Sequence, residues 1–392
     1  MRDWWAVVAV AVTSRVFFLF LLVLLLIVQQ AYAVVLPEDR ADILYHSYDG
    51  GGVEVTGPSV LVRKSFGNSV SGFYNYYVDN ISSASIDVLS QGSPYEENRT
   101  ENSVGLDYVH DKTIMSASYT SSKENDYDAE TYFLAISQDM FGDLTSVTLS
   151  FARGDNLVST RDGFVRPDFQ PTEGDSRSYK LSVSQVLTKD LLMGLAYETI
   201  ADEGFLHSPY RQFRYLTPGG SSYDWAYEVY PNTRTSNAAA IRLNYFLPFR
   251  ASVYGGFRIF KDSWGIDASN WDLGYVQPLG NWTLDLHVRS YTQTGADFYS
   301  DLFNAQDEYN FMGRDKEISP FDSLQLGFGV SYDFLKNGWG VLDRGSLNFH
   351  YNYMMFDYED YRDTTQTGFP PGQEPLYSLE AHVLRIFASF WF

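Results

Sequence analysis

The amino-acid sequence predicts an all-β chain: a transmembrane antiparallel β-barrel of about sixteen strands, following a cleaved amino-terminal signal peptide. Three observations carry this. Segments of about ten residues alternate apolar and polar side chains with period two. Aromatic residues are 17% of the 392 residues, with 30 Tyr and 28 Phe, and they gather at segment ends. The last segment is an apolar alternation ending in Phe392.

Composition narrows the class. The 28 Lys+Arg against 49 Asp+Glu give a net charge of −21, which excludes a basic nucleic-acid surface. With no cysteine there is no disulfide framework, thiolate metal site or Cys nucleophile. Charged residues at 20% and a mean hydropathy of −0.23 exclude a disordered chain and, past the first segment, a helical membrane protein.

The first segment reads as a sorting signal. Arg15 precedes an unbroken apolar run, Val16 to Val28, and Gln29-Gln30-Ala31-Tyr32-Ala33 follows. A basic flank, a short apolar run and an A-x-A end form a secretory signal. Its helix would rise about 20 Å, short of the roughly 30 Å hydrocarbon core. Residues 1–33 are therefore expected to be removed after Ala33, leaving 34–392 as one barrel domain. The alternative is an uncleaved anchor from Trp4 to Val28, which would bury Arg15. The stretch before Arg15 is unusual for a signal and reads as an upstream extension of the true start.

Strands follow in order. Candidates begin near residues 53, 69, 102, 113, 129, 144, 177, 191, 235, 250, 265, 282, 324, 346 and 377. Segment 282–291 shows the pattern: Trp282, Leu284, Leu286 and Val288 share one face, and Thr283, Asp285, His287 and Arg289 the other. Segments 250–260, 324–334 and 346–355 repeat it. Short links at 67–68, 111–112, 141–143, 188–190, 248 and 278–281 alternate with long polar links near 79–101, 154–176, 200–234, 293–322 and 357–376. That alternation is the mark of short inner turns and long outer loops. It makes the strand near 53 run inward, so an outward strand must precede it. Ala41 to Tyr48 is the candidate, with Asp49–Gly52 as its turn. Sixteen strands result; the rival is a fourteen-strand barrel with an amino-terminal plug. In the closing strand, Leu384, Ile386, Ala388, Phe390 and Phe392 share a face. Phe390, Trp391 and Phe392 are the expected signal for the outer-membrane assembly machinery.

Stretches H-S-Y-D-G-G-G (46–52), G-P-S-V-L-V-R-K (57–64), S-S-A-S-I-D-V (82–88), S-Q-D-M-F-G-D-L-T (137–145) and D-E-G-F-L (202–206) resemble domain-of-unknown-function family 3570. So do V-Y-P-N-T-R-T-S-N-A (229–238), D-S-W-G-I (262–266), Y-T-Q-T-G-A-D-F-Y-S-D-L-F (291–303) and R-D-K-E (314–317). The resemblance runs from about residue 38 to the end. It implies a bacterial outer-membrane barrel with no established catalytic residues. It also implies genomic company: a small lipoprotein, a thioredoxin-like protein and a flavin-transferring enzyme.

Face assignment points Lys180, Glu198, Arg242, Arg258, Asp285, His287, Arg289, Asp333 and Arg385 inward. They are read as a lumen braced by ion pairs, or as a charged path for an anionic solute. Protonation of His287 and His350, both inward, could tune a pore near pH 6.5. Asp285, His287 and Ser290 do not make a hydrolase: Ser290 falls on the other face and no G-x-S-x-G occurs. His46 with Ser47 and Asp49 reads as a strand end rather than a triad. The six His lack H-x₃-H or H-E-x-x-H spacing, so no metal or cofactor is expected. The loops are acidic. Asp297, Asp301, Asp307, Glu308, Asp315, Glu317 and Asp322 face Arg314 and Lys316; Glu124, Asp126, Asp128 and Glu130 face Lys123. They are expected to be solvated beside divalent-bridged lipopolysaccharide, with calcium binding or cation attraction as the functional readings.

The expected function is a pore or transport channel of the bacterial outer membrane, in contact with lipid and lipopolysaccharide. The alternatives are a non-conducting scaffold for a periplasmic lipoprotein or thioredoxin-like partner, and, last, a barrel-embedded hydrolase.

Overall fold

A computed structural model describes residues 35–91, 95–161, 166, 169–335 and 338–392. The expected signal peptide lies outside the described residues. Sixteen antiparallel strands close into one barrel. In chain order they are β1 (Arg40–Gly50), β2 (Val53–Phe66), β3 (Val70–Ser83), β4 (Tyr95–His110), β5 (Thr113–Lys123), β6 (Tyr127–Met140), β7 (Thr145–Val158), β8 (Thr172–Thr188) and β9 (Leu191–Gly204). After a separate two-stranded hairpin, β10 (Gln212–Leu216) and β11 (Tyr223–Tyr227), come β12 (Thr233–Phe246), β13 (Ser252–Asp262), β14 (Asp267–Leu279), β15 (Trp282–Gln293), β16 (Phe321–Asp333), β17 (Arg344–Arg362) and β18 (Leu376–Trp391).

The barrel closes by pairing β1 with β18 over the full length of β1, from Arg40↔Trp391 to Gly50↔Ala381. Ala41–Tyr48 is thus a wall strand and not part of a plug. All candidate strand starts fall in observed strands or within two residues of one, but several strands reach further into the expected loops. The 79–101 link shrinks to 84–94 and the 154–176 link to 159–171, because polar side chains at those strand ends pair across the ladder as apolar ones do.

One end, here the terminal end, carries the start of β1, the end of β18 and tight turns. Asp111 (φ 51°) and Gly280 (φ 66°) take the left-handed backbone that a short hairpin needs. The other end carries the long links: 84–94, with a short helix α1 (Ile86–Gln91), then 159–171, 205–232, 294–320 and 363–375.

The period-two pattern sorts onto the two faces of the wall. Inner-face side chains reach across an intervening strand, which spans about 10 Å and is feasible where the wall is concave. Arg242 of β12 meets Asp272 of β14 at 3.7 Å, and His46 of β1 meets Asp79 of β3 at 2.7 Å. The outer face exposes Leu195, Tyr197, Ile241, Leu243, Trp271, Leu273, Leu286 and Phe328. The buried apolar clusters sit at the loop end: Tyr230, Trp264, Ile266, Ala296, Phe298 and Ile318 in one, Phe213, Phe303 and Met312 in a second.

Candidate functional site: the lumen and its cap

Three long loops fold over the loop end and lock together through buried arginines. Arg214, Arg314 and Glu228 are fully buried, and Asp301 and Glu374 are buried beside them. Arg214 donates to Glu374 through Nη1 (2.6 Å) and Nη2 (3.1 Å), and to the Asp301 carbonyl through Nε (2.8 Å); it also pairs with the Asp301 carboxylate. Arg314 reaches that carboxylate at 2.9 Å, the Tyr361 hydroxyl at 3.1 Å and the Arg362 carbonyl at 2.8 Å. The 205–232, 294–320 and 363–375 loops are joined by this network. Paired, hydrogen-bonded guanidinium–carboxylate geometry is what makes such burial tolerable.

The cap crosses the mouth. The Tyr210 hydroxyl donates to Asp126, in the turn between β5 and β6, while Arg214 binds Glu374, between β17 and β18. Those turns stand six strands apart one way round the ring and ten the other. Six strand spacings follow about 29 Å of wall. Four residue steps span at most about 14 Å, and two long side chains supply the remaining reach. This chain segment therefore bridges the opening from one side to the other.

Beside the cap is a cavity of about 730 Å³ bordered by Glu97, Asp126, Arg161, His207, Tyr210 and Trp264. Carboxylate oxygens of Glu97, Glu124 and Asp126 lie within 4.8 Å of one another. The residues do not fit a metal well: Arg161 pairs with Glu97 and, at 3.3 Å, with Asp126, so a guanidinium already supplies the positive charge. Burial and the nearby Glu97 and Asp126 charges raise the Glu124 carboxyl. His207 is stacked between Phe205 and Tyr230, and burial pulls it down to about 4. Glu228 accepts from the Arg314 backbone N–H at 2.6 Å; burial and Asp315 push it up to about 7.

On the inner wall, Arg258 pairs with Glu198 (3.1 Å) and His287 Nδ1 with Asp285 (3.1 Å). Lys180 stands opposite Glu198 in register, Asp333 opposite Ser346 near the terminal end, and Arg385 opposite both His46 and His350. Arg289 stands opposite Asp272 and Gln325. Ser290, one residue on, belongs to the other face. His46 lies with Asp79, whose other oxygen takes Arg99 Nε at 2.8 Å, and its ring stacks on Tyr77. Ser47 and Asp49 alternate to the other face. Glycines make room for the larger groups: a Cβ on Gly274 would stand 2.0 Å from the Tyr254 ring, and one on Gly327 2.0 Å from His287.

Two expectations are corrected. Asp126 is not a solvated loop charge but is buried against Arg161 at 3.3 Å and Tyr210. Asp301 and Arg314 are not solvated loop charges but the centre of the cap, because each finds partners on the 205–232 loop and at the loop end of β17. Sequence reasoning also passed over Arg214, Glu228, Glu374 and Tyr361. The available signal was Arg within apolar and aromatic neighbours, as in Phe213-Arg214-Tyr215, which resembles a strand rather than a surface loop.

The fold and these features define a closed sixteen-stranded β-barrel of the outer-membrane type with a folded cap over one mouth. The chain belongs to the family described as "Protein of unknown function (DUF3570)", matched over residues 76–343. The stretches at 46–52 and 57–64 precede the matched span. No curated protein sequence matches the chain. Among solved structures it is similar to a bacterial polysaccharide outer membrane secretin (9% identity, 91% of this chain and 99% of that one, TM-score 0.48). It is also similar to OccK2 (OpdF) of Pseudomonas aeruginosa in complex with glucuronate (9%, 91% and 99%, TM-score 0.41). A third is a loop L8 deletion mutant of OmpT, an outer membrane protein of Vibrio cholerae (10%, 92% and 99%, TM-score 0.40).

Proposed function

We propose that the chain resides in the bacterial outer membrane and forms a passage for a small solute, with its outer entrance closed by its own loops. The outward apolar side chains support the location: transferring one Leu, Phe or Val from water is worth roughly 1.5–3 kcal/mol, and the outer wall exposes such residues on strand after strand. The terminal end, with its tight turns, then faces the periplasm. The observation that carries passage is the inner wall, lined by Lys180, Arg242, Arg258, Asp285, Arg289 and small polar residues. No catalytic constellation is assigned to it. Reconstitution in planar bilayers tests the reading. Wild type is expected to stay mostly closed, and Glu374→Ala, which unties the 363–375 loop from Arg214 and leaves that arginine only Asp301, to raise the open probability. Silence from both, with each folded, would refute it.

The cap favours a second reading, a non-conducting barrel that anchors a periplasmic lipoprotein or thioredoxin-like partner. Co-purification of such a partner from native membranes, together with bilayer silence, would select it.

A further inference from the structure

The inner wall between β12 and β15 carries more positive charge than its own acids neutralise. Two adjacent rows of the ladder hold it. One runs Arg242, Gly256, Asp272, Arg289, Gln325; the next, one pleat outward, runs Ala240, Arg258, Asn270, Tyr291, Ser323. Three arginines share these rows with a single carboxylate, Asp272. Glu198 joins from the row beyond, already bonded to Arg258 and facing Lys180. Asp272 lies flat on Gly256, where a Cβ would meet its Oδ1 at 2.3 Å, and Arg242 approaches it at 3.7 Å. Arg242 in turn lies over the Tyr254 ring at 4.3 Å. Both carboxylates are thus engaged by arginines other than Arg289. Among the described residues Arg289 has no ion pair. Its guanidinium is exposed to the lumen and leans toward Tyr291, 5.9 Å from that ring, and so toward the Arg258 row. The Tyr291 hydroxyl donates to Gln293 at 2.7 Å, holding the ring along the wall. Asn270 and Tyr291 border, with Arg258, a small recess of about 160 Å³ under the cap.

An exposed cation whose facing carboxylate, Asp272, is already approached by Arg242, and whose neighbouring row carries Arg258 and Asn270, is arranged for a ligand that brings its own negative charge. We infer that Arg289, with Arg258 and Asn270, forms a binding station for small anionic solutes carrying a carboxylate or phosphate group. This rests on the passage reading and deepens it by naming the solute class. Guanidinium groups match both oxyanions in geometry, and the neighbouring amide supplies a further donor. The acidic outer loops would hold free anions away from the mouth, so the station acts on solute that has already entered.

The test compares wild type with Arg289→Gln and Arg289→Lys, each checked for folding by heat-modifiable gel mobility. Arg289→Ser is a second neutral variant if the glutamine form does not fold. The readouts are the reversal potential across a potassium chloride gradient, using the loosened-cap background Glu374→Ala, and the block of current by inorganic phosphate. Wild type is expected to prefer chloride. Arg289→Gln should weaken the phosphate block roughly fourfold, the weight of one unit charge about 5 Å away in water-like dielectric. Arg289→Lys should keep most of the preference. Conductance with selectivity and block unchanged in Arg289→Gln would overturn the station and leave the passage standing. Absence of conductance in every form would overturn the passage. Phosphate binding to the detergent-solubilised protein, measured by isothermal titration, then decides the station alone. Loss of binding in Arg289→Gln supports it; equal binding, or none in wild type, overturns it.

Discussion

Replacing Arg214 by Met should unlock the cap without unfolding the barrel. Met keeps much of the apolar stem of the side chain but removes the guanidinium and its charge. Three donor contacts at 2.6–3.1 Å and the Asp301 pair are lost together. Asp301 keeps Arg314 and the Arg362 backbone N–H. The Glu374 carboxylate keeps the Gly372 backbone N–H at 2.9 Å but, among the described residues, no ion pair; Arg362 Nη1 stays on its backbone carbonyl at 2.7 Å. Burial pushes the Glu374 carboxyl up, Arg214 pulls it down, and the balance holds it below the usual carboxylate range. Removing one partner from a buried pair costs about 3–5 kcal/mol. The ratio of open to closed cap should therefore rise by roughly two to three orders of magnitude. Limited thermolysin digestion reads this directly, as cleavage within 205–232 while the barrel keeps its heat-modifiable mobility. Arg214→Met with Glu374→Met should recover much of the resistance, since a buried pair replaced by apolar groups is close to neutral. Wild-type resistance in the single variant, or a double variant as sensitive as the single, would refute the argument.

Three further outcomes are expected. Burial and Asp315 push the Glu228 carboxyl up in the folded cap, so the protonated form is the one the cap favours. Its stabilisation is full below the free carboxylate value and is lost as pH rises toward about 7; protease sensitivity of the cap should climb across that window and flatten in Glu228→Gln. Leu286→Arg should impair membrane insertion, since a lipid-facing Arg at mid-depth costs roughly 2–4 kcal/mol, whereas His287→Arg should fold; equal or reversed yields of heat-modifiable protein would contradict the facing of β15. Gly274→Ala should lower the unfolding midpoint, because its methyl would strike the Tyr254 ring, an overpacking cost of about 1–3 kcal/mol; Tyr254→Ser in the same chain should restore it, and failure to do so would show that the contact is not the cause.

The barrel was legible because its rules are local. Period two over each segment, turn residues such as Asp111 and Gly280, and the alternation of short and long links each act within a few residues, and together they determined the sixteen strands and their faces. The inward placement of Arg242, Arg258, Asp285, His287 and Arg289 followed from the same alternation. Their partners did not. Whether Arg258 meets Glu198 depends on the register of β9, β12 and β13, and a side chain that skips a strand does so through curvature that no single segment encodes. The cap was the least legible part. Asp301, Arg314 and the loops around them look like solvated surface when read alone, since Asp301 and Arg314 pair with each other within one loop and the partners that bury them, Arg214 and Tyr361, lie far away in sequence. Arg214 and Glu374 are 160 residues apart. Closing the ring brings their loops over one mouth, and only there does burial become possible, because each charge then meets its opposite in a place water no longer fills.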